Sequence, residues 1–152
     1  MENQTIIEAA NTAQVNITKV LYTGKVHITG GREGAAKSTD GRLDIKLSTP
    51  GGPGIGTNPE QLFAAGWSAC FIGAMRHNAA TLKIAIPDDT AVDAEVDLAA
   101  GSDGFNLQAR LNVSLPGLTF EEAKTVVEAA HQTCPYSKAT RGNINVQINV
   151  AV

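Results

Sequence analysis

From Asn58 to about Ala80 the chain is apolar on every side of a helix axis, and this one stretch constrains the fold more than any other. Asn58 followed by Pro59 sets a helix start, with asparagine as N-cap and proline at the first helical position. Thr57-x-x-Glu60 offers a capping box in the adjacent register. Leu62, Phe63, Ala64, Ala65, Trp67, Ala69, Cys70, Phe71, Ile72, Ala74 and Met75 then surround the axis instead of forming one stripe. A helix of that kind has no face to offer water, so it is expected at the centre of the fold, covered on most sides.

The flanking segments change period and supply the cover. Val15, Ile17, Val20, Tyr22, Val26 and Ile28 precede Gly30-Gly31-Arg32-Glu33-Gly34, which reads as strand, turn and return. Leu43, Ile45 and Leu47 alternate with polar residues as a half-buried strand, and the Pro50–Gly54 stretch forces a loop. Val92–Leu98 and Phe105–Leu115 alternate strictly and are joined by Gly101-Ser102-Asp103-Gly104, a hairpin turn. Thr119-x-x-Glu122 opens a second helix that stops near Cys134 because Pro135 follows, and Ile144, Val146, Ile148 and Val150 mark a closing strand. The element string predicts an α+β fold with mainly antiparallel sheets wrapped around a buried central helix. One domain is expected over residues 15–152, preceded by a partly ordered arm over 1–14.

Composition narrows the function classes. The net charge is −3, and one Trp, two Tyr and four Phe are the only aromatic residues, so no basic stripe with stacking rings exists for nucleic acid. No apolar run is long enough to span a bilayer. Met-Glu-Asn-Gln-Thr has neither the positive start nor the apolar centre of a secretory signal, so the cytoplasm is the expected compartment. Between Pro87 and Asp103 stand six acidic residues and no Lys or Arg; their spacing is too open for a calcium loop and reads as a solvated sheet face.

In a reducing compartment two cysteines point to redox work more than to a structural bridge. Cys70 lies in mid-helix among apolar neighbours, where two readings stand: a buried inert thiol, or a nucleophile. Burial pushes a thiol pKa upward and the helix midpoint lends little dipole help, so the second reading requires a cation from elsewhere. Cys134, at a helix end that gives an anion no support, suits a second thiol that attacks an oxidised partner. Only the fold can bring the two within bonding range, since they stand 64 residues apart.

The strings GTNPEQLFAAGWSACF at 56–71, CPYSKATRGN at 134–143 and GGREG at 30–34 closely resemble the organic hydroperoxide resistance branch of the OsmC/Ohr family, over nearly the whole chain from Leu21 onward. That resemblance implies an OsmC-like intertwined homodimer with sites at the subunit interface, and a thiol peroxidase that reduces organic and fatty-acid hydroperoxides to alcohols. It implies Cys70 as the peroxidatic nucleophile, Cys134 as the resolving thiol, Arg32 as the catalytic arginine and Glu60 as the glutamate that holds it. It also implies that no cofactor is bound and that electrons come from dihydrolipoyl groups on lipoylated proteins. Without it, Arg32 reads as a solvated charge in a glycine turn and Glu60 as a dipole-compensating cap.

Chemistry agrees with those roles: a permanent guanidinium fork can lower a thiol pKa and hold peroxide oxygens, and a carboxylate can orient it. Glu60 and Cys70, ten residues apart on one helix, have Cα atoms about 15 Å apart at about 1.5 Å per residue. A second chain supplying Arg32 and Glu60 is therefore the favoured arrangement, against an Arg32 that bridges the gap or a helix that bends. Leu62, Phe63, Trp67, Phe71, Ile72 and Met75 are candidates for an apolar pocket preferring long-chain hydroperoxides, although each taken singly reads more readily as core. Three rivals remain. A cysteine hydrolase would need His77 or His131 at Cys70; a metal–thiolate site would use His131-x-x-Cys134; a non-enzymatic binder of apolar ligands would simply bury both cysteines. No metal is expected.

Overall fold

A computed structural model describes residues 15–152; the arm expected over 1–14 lies outside the described residues. The first sheet consists of β1 (Val26–Thr29), β2 (Ala35–Ser38) and β3 (Asp44–Lys46), antiparallel in that order. A 3-10 turn, Gly31–Glu33, joins β1 to β2. The turn needs its glycines: Gly30 has φ 71°, and a Cβ on Gly34 would stand 1.6 Å from the Thr29 carbonyl oxygen. The strand expected from Val15 is absent over residues 15–25, which carry no regular structure. Val15, Ile17, Val20 and Tyr22 have strand-forming side chains but no neighbouring strand in this chain, and all four are exposed.

Helix α1 (Pro59–Leu82) starts as expected, with the Asn58 side chain accepting the Gln61 amide at 2.9 Å. Thr57 takes no part in a capping box; its hydroxyl donates to the Gln61 side chain, and Glu60 turns to Arg32. The second sheet pairs β4 (Ala91–Gly101) with β5 (Gly104–Ser114) antiparallel along their whole length, through the two-residue turn read from the sequence. Helix α2 (Phe120–Thr133) begins with the full Thr119/Glu122 capping box. A third helix, α3 (Pro135–Thr140), follows at once, and β6 (Asn145–Ala151) closes the sheet parallel to β5. Thus β5, α2, α3 and β6 form one βαβ crossover in an otherwise antiparallel architecture.

α1 and α2 pack against each other; α1 lies along β4 and α2 against β6. The core joins Trp67, Phe71 and Met75 of α1, Leu111 and Val113 of β5, Leu115 just beyond it, and Val126 and Ala130 of α2. These positions account for the α1 face that is buried, the i, i+4 row Trp67, Phe71, Met75 and Ala79. The expectation of a helix covered on most sides is corrected here: within one chain only this row is buried, while Leu62, Ala65, Ala69, Gly73 and Ala80 are exposed. One sheet and one helix reach around a single side of α1. The first sheet stands apart, tied back by the Leu47–Thr57 bridge and the Arg32–Glu60 pair.

Candidate active site

Cys70 sits at the middle of α1, half-buried, and Cys134 is fully buried. Cys134 is at once the C-cap of α2 and the N-cap of α3, with extended backbone (φ −62°, ψ 123°). Its amide closes α2 on the Ala130 carbonyl at 2.8 Å, and its carbonyl accepts the Lys138 amide at 2.9 Å to open α3. Sequence reasoning took Pro135 only as a stop and missed α3; proline at the first position of a new helix was the available signal.

The fold brings the two free thiols together, Sγ to Sγ 3.3 Å. A disulfide needs about 2.05 Å, so the sulfurs have only about 1.3 Å to close. Burial pushes the Cys70 thiol above its ordinary value, the Cys134 thiol adds in the same direction, and the backbone amide of Tyr136 opposes both. No imidazole or guanidinium is among the groups acting on this thiol.

Three further contacts dock α3 on α1. The Trp67 indole N–H donates to Ser137 Oγ at 3.2 Å, both residues fully buried. The Tyr136 ring lies against Gly66, where an added Cβ would meet its hydroxyl at 2.8 Å. The same ring meets Phe63 edge-on, centroids 6.0 Å apart, and Phe63 meets Trp67 at 5.7 Å.

The glycine turn delivers Arg32 to Glu60 of its own chain as a two-pronged pair, 2.7 and 3.0 Å. Arg32 holds the Glu60 carboxyl below the usual carboxylate range, and Glu60 raises the guanidinium in return. The pair borders a cavity of about 330 Å³ lined also by Phe63, Leu98, Phe105 and Leu107, and a larger one of about 680 Å³ that reaches Asp97 and Arg110. Arg32 and Glu60 are therefore together, as expected, but the single chain does not bring them to Cys70. The hairpin residues Leu98 and Phe105 were missed as cavity lining; large apolar side chains flanking an exposed turn were the signal.

Of the pocket candidates, Phe63 lines that cavity, whereas Trp67, Phe71 and Met75 are 0% exposed and fill the core. They form the one row of α1 that faces α2 and the second sheet, which leaves them no access to solvent. Leu62 is exposed and Ile72 half-buried. His77 is exposed, and His131 Nδ1 is buried with no hydrogen-bond partner among the described residues. Among the described residues no group of three or more His, Cys, Asp or Glu is placed to hold a metal, and no helix is long and apolar enough to cross a membrane. Two acids of the run are paired on the sheet face: Arg110 on β5 reaches Glu95 at 2.7 Å and both oxygens of Asp97 at 2.9 Å on β4.

An α+β chain that sets two free cysteines with their sulfurs 3.3 Å apart, beside the Trp67–Ser137 hydrogen bond, defines in outline a protein with a two-thiol site. Known proteins give the outline a family. The model of OsmC-like proteins matches residues 51–149. An organic hydroperoxide resistance protein of Xanthomonas axonopodis pv. citri is 51% identical over 137 residues, 88% of this chain and 96% of that one. The crystal structure of an organic hydroperoxide resistance protein from Legionella pneumophila superimposes with a TM-score of 0.82 at 46% identity, covering 88% of this chain and 100% of that one. That of OhrB from Bacillus subtilis gives 0.82 at 43% identity, covering 87% and 100%. The chain belongs to the OsmC/Ohr family, within its organic hydroperoxide resistance branch.

Proposed function

We propose that the protein is a cysteine-based peroxidase that reduces alkyl and fatty-acid hydroperoxides to alcohols. The observation that carries this reading is the pair of reduced sulfurs 3.3 Å apart, one half-buried and one sealed. The Cys70 thiolate attacks the terminal peroxide oxygen, the O–O bond breaks, and the alkoxide leaves as alcohol with the proton the thiol gave up. Cys70 is then a sulfenic acid. Cys134 Sγ attacks it, the S–S bond forms, the S–O bond breaks, and hydroxide leaves as water with the Cys134 proton. A dithiol returns the disulfide to two thiols; we propose dihydrolipoyl groups on lipoylated proteins of the cytoplasm as that donor, with no bound cofactor.

The working unit we propose is an intertwined homodimer. Three features support it: an α1 face left bare, a first sheet that stands apart from its own core, and the exposed apolar run Val15, Ile17, Val20, Leu21 and Tyr22. In the dimer the Arg32–Glu60 pair of one protomer faces Cys70 of its partner, lowering the thiol pKa and holding the peroxide oxygens. The apolar cavity of Phe63, Leu98 and Phe105 beside that guanidinium suits a hydroperoxide with a hydrocarbon tail.

Stoichiometric cumene hydroperoxide added to the reduced protein, followed by thiol counting, tests the reading. Loss of both thiols, abolished by Cys70→Ser, is the expected result. Retention of both thiols refutes it and leaves a non-enzymatic binder.

A further inference from the structure

Trp67 lies three residues before Cys70 on α1, and Ser137 lies three residues after Cys134 on α3. Trp67 bonds Ser137 at 3.2 Å and Cys70 meets Cys134 at 3.3 Å, so the two helices run antiparallel here and are joined by two matched rungs. Three residues of helix separate the rungs by about 4.5 Å on each side. Both members of the first rung are 0% exposed, and a phenylalanine at position 67 would fill the same core without leaving an N–H to satisfy.

α3 needs such a tie. It has six residues, too few to hold a helix or a position by itself. It is joined to α2 through one extended residue, Cys134, so the α2 helix does not continue into it. The Tyr136 amide, which lowers the Cys70 thiol, and the Tyr136 ring also lie against α1, and Tyr136 is 39% exposed. The Trp67–Ser137 bond is the one sealed polar contact between the two helices, one turn from the sulfurs.

We infer that the buried Trp67–Ser137 hydrogen bond is a positioning device for the resolving step, holding Cys134 on the line of attack toward an oxidised Cys70. This rests on the peroxidase reading above. In the step it serves, Cys134 Sγ attacks the sulfur of the Cys70 sulfenic acid and hydroxide leaves, taking the Cys134 proton to form water. The competing fate is attack of the sulfenic acid on a second hydroperoxide, which gives sulfinic acid and another alcohol. Reaction of neighbouring groups is steep in geometry, and a displacement of about 1 Å costs up to about 100-fold. Trp67 and Ser137 touch neither substrate nor reacting atoms; they act through the placement of Cys134.

The test titrates Ser137→Ala with cumene hydroperoxide and reads Cys70 as disulfide or sulfinic acid by mass spectrometry, with the peroxide-consuming burst followed separately. The burst is expected to stay within about 2-fold of wild type, while disulfide formation slows about 10- to 100-fold. The hydroperoxide concentration that drives half of Cys70 to sulfinic acid falls by the same factor. Trp67→Phe, which removes the donor from the other side, is expected to raise the sulfinic yield likewise, and Ser137→Thr, which keeps a hydroxyl, to restore the disulfide. Val113→Ala in the sheet core controls for general loosening, and its sulfinic yield should stay at the wild-type level. A wild-type partition in Ser137→Ala, or an equal sulfinic yield in Val113→Ala, overturns the inference. Failure of the wild-type protein to form any Cys70–Cys134 disulfide overturns the peroxidase reading itself, and the inference with it.

Discussion

A mixed dimer of Cys70→Ser and Arg32→Met protomers decides where the activating cation comes from. In the single chain Arg32 is gripped by Glu60, ten residues from Cys70 and hence about 15 Å along the helix. Across that distance through water, a unit charge stabilises a thiolate by about 0.3 kcal/mol, or about 0.2 pKa units. At about 4 Å with an effective dielectric of 20 the figure is about 4 kcal/mol, or about 3 units. Only the short contact can overcome the burial that pushes the Cys70 thiol up. If the partner supplies the guanidinium, a heterodimer purified with two tags holds one intact site: Cys70 of the Arg32→Met chain facing Arg32 of the Cys70→Ser chain. Initial rates of cumene hydroperoxide reduction should then recover to about half of wild type, as one of two equivalent sites. Both parent homodimers should stay at background. A heterodimer no faster than the Arg32→Met homodimer refutes the shared site and requires Arg32 to swing within its own chain.

Cys134→Ser should consume about one equivalent of hydroperoxide per chain in reaching the sulfenic acid and a second in proceeding to sulfinic acid, read by mass spectrometry, because nothing traps the sulfenic acid. Gly66→Ala adds a Cβ 2.8 Å from the Tyr136 hydroxyl; helix propensity gains about 1 kcal/mol and the edge-on ring contact loses about 0.5–1.5 kcal/mol. Urea unfolding should therefore show stability near wild type, and a loss above about 2 kcal/mol would mean that the exposed ring is unable to swing aside. Arg110, with help from Gln108, lowers the Asp97 carboxyl from 3.8 to about 2. A depressed carboxyl adds stability that is complete above its unfolded value and is lost as pH falls through the folded one. The urea midpoint should thus decline between pH 3.8 and about 2, and Arg110→Met should remove that part of the decline.

The sequence made α1, α2 and the hairpin legible because each carried its own local chemistry. Asn58-Pro59, Thr119-x-x-Glu122 and the Gly101–Gly104 turn all act within a few residues, and each stands where it was read. What local pattern does not encode is the neighbour. Strand-forming residues 15–25 lack a strand to pair with, so they are unpaired here. The acids of β4 look unpaired until β5 places Arg110 opposite Glu95. The same limit applies to the site: 64 residues separate the cysteines, and periodicity is silent on whether their helices meet. Single residues leave the roles of Cys70, Cys134, Arg32 and Glu60 open; the roles proposed for them rest on the resemblance of GTNPEQLFAAGWSACF, CPYSKATRGN and GGREG to the family.

Cys134, the proposed resolving thiol, stands at a junction of two helices. As the C-cap of α2 its amide donates to the Ala130 carbonyl at 2.8 Å. As the N-cap of α3 it has extended backbone, and its sulfur stands 3.3 Å from that of Cys70 at the middle of α1. A helix that continued through Pro135 would carry Ser137 onward along the α2 axis and away from Trp67. The proline thus does more than end a helix: by forcing a restart it lets a six-residue segment bring Cys134 and Ser137 together onto two successive turns of α1, and sulfur-to-sulfur contact follows from that restart.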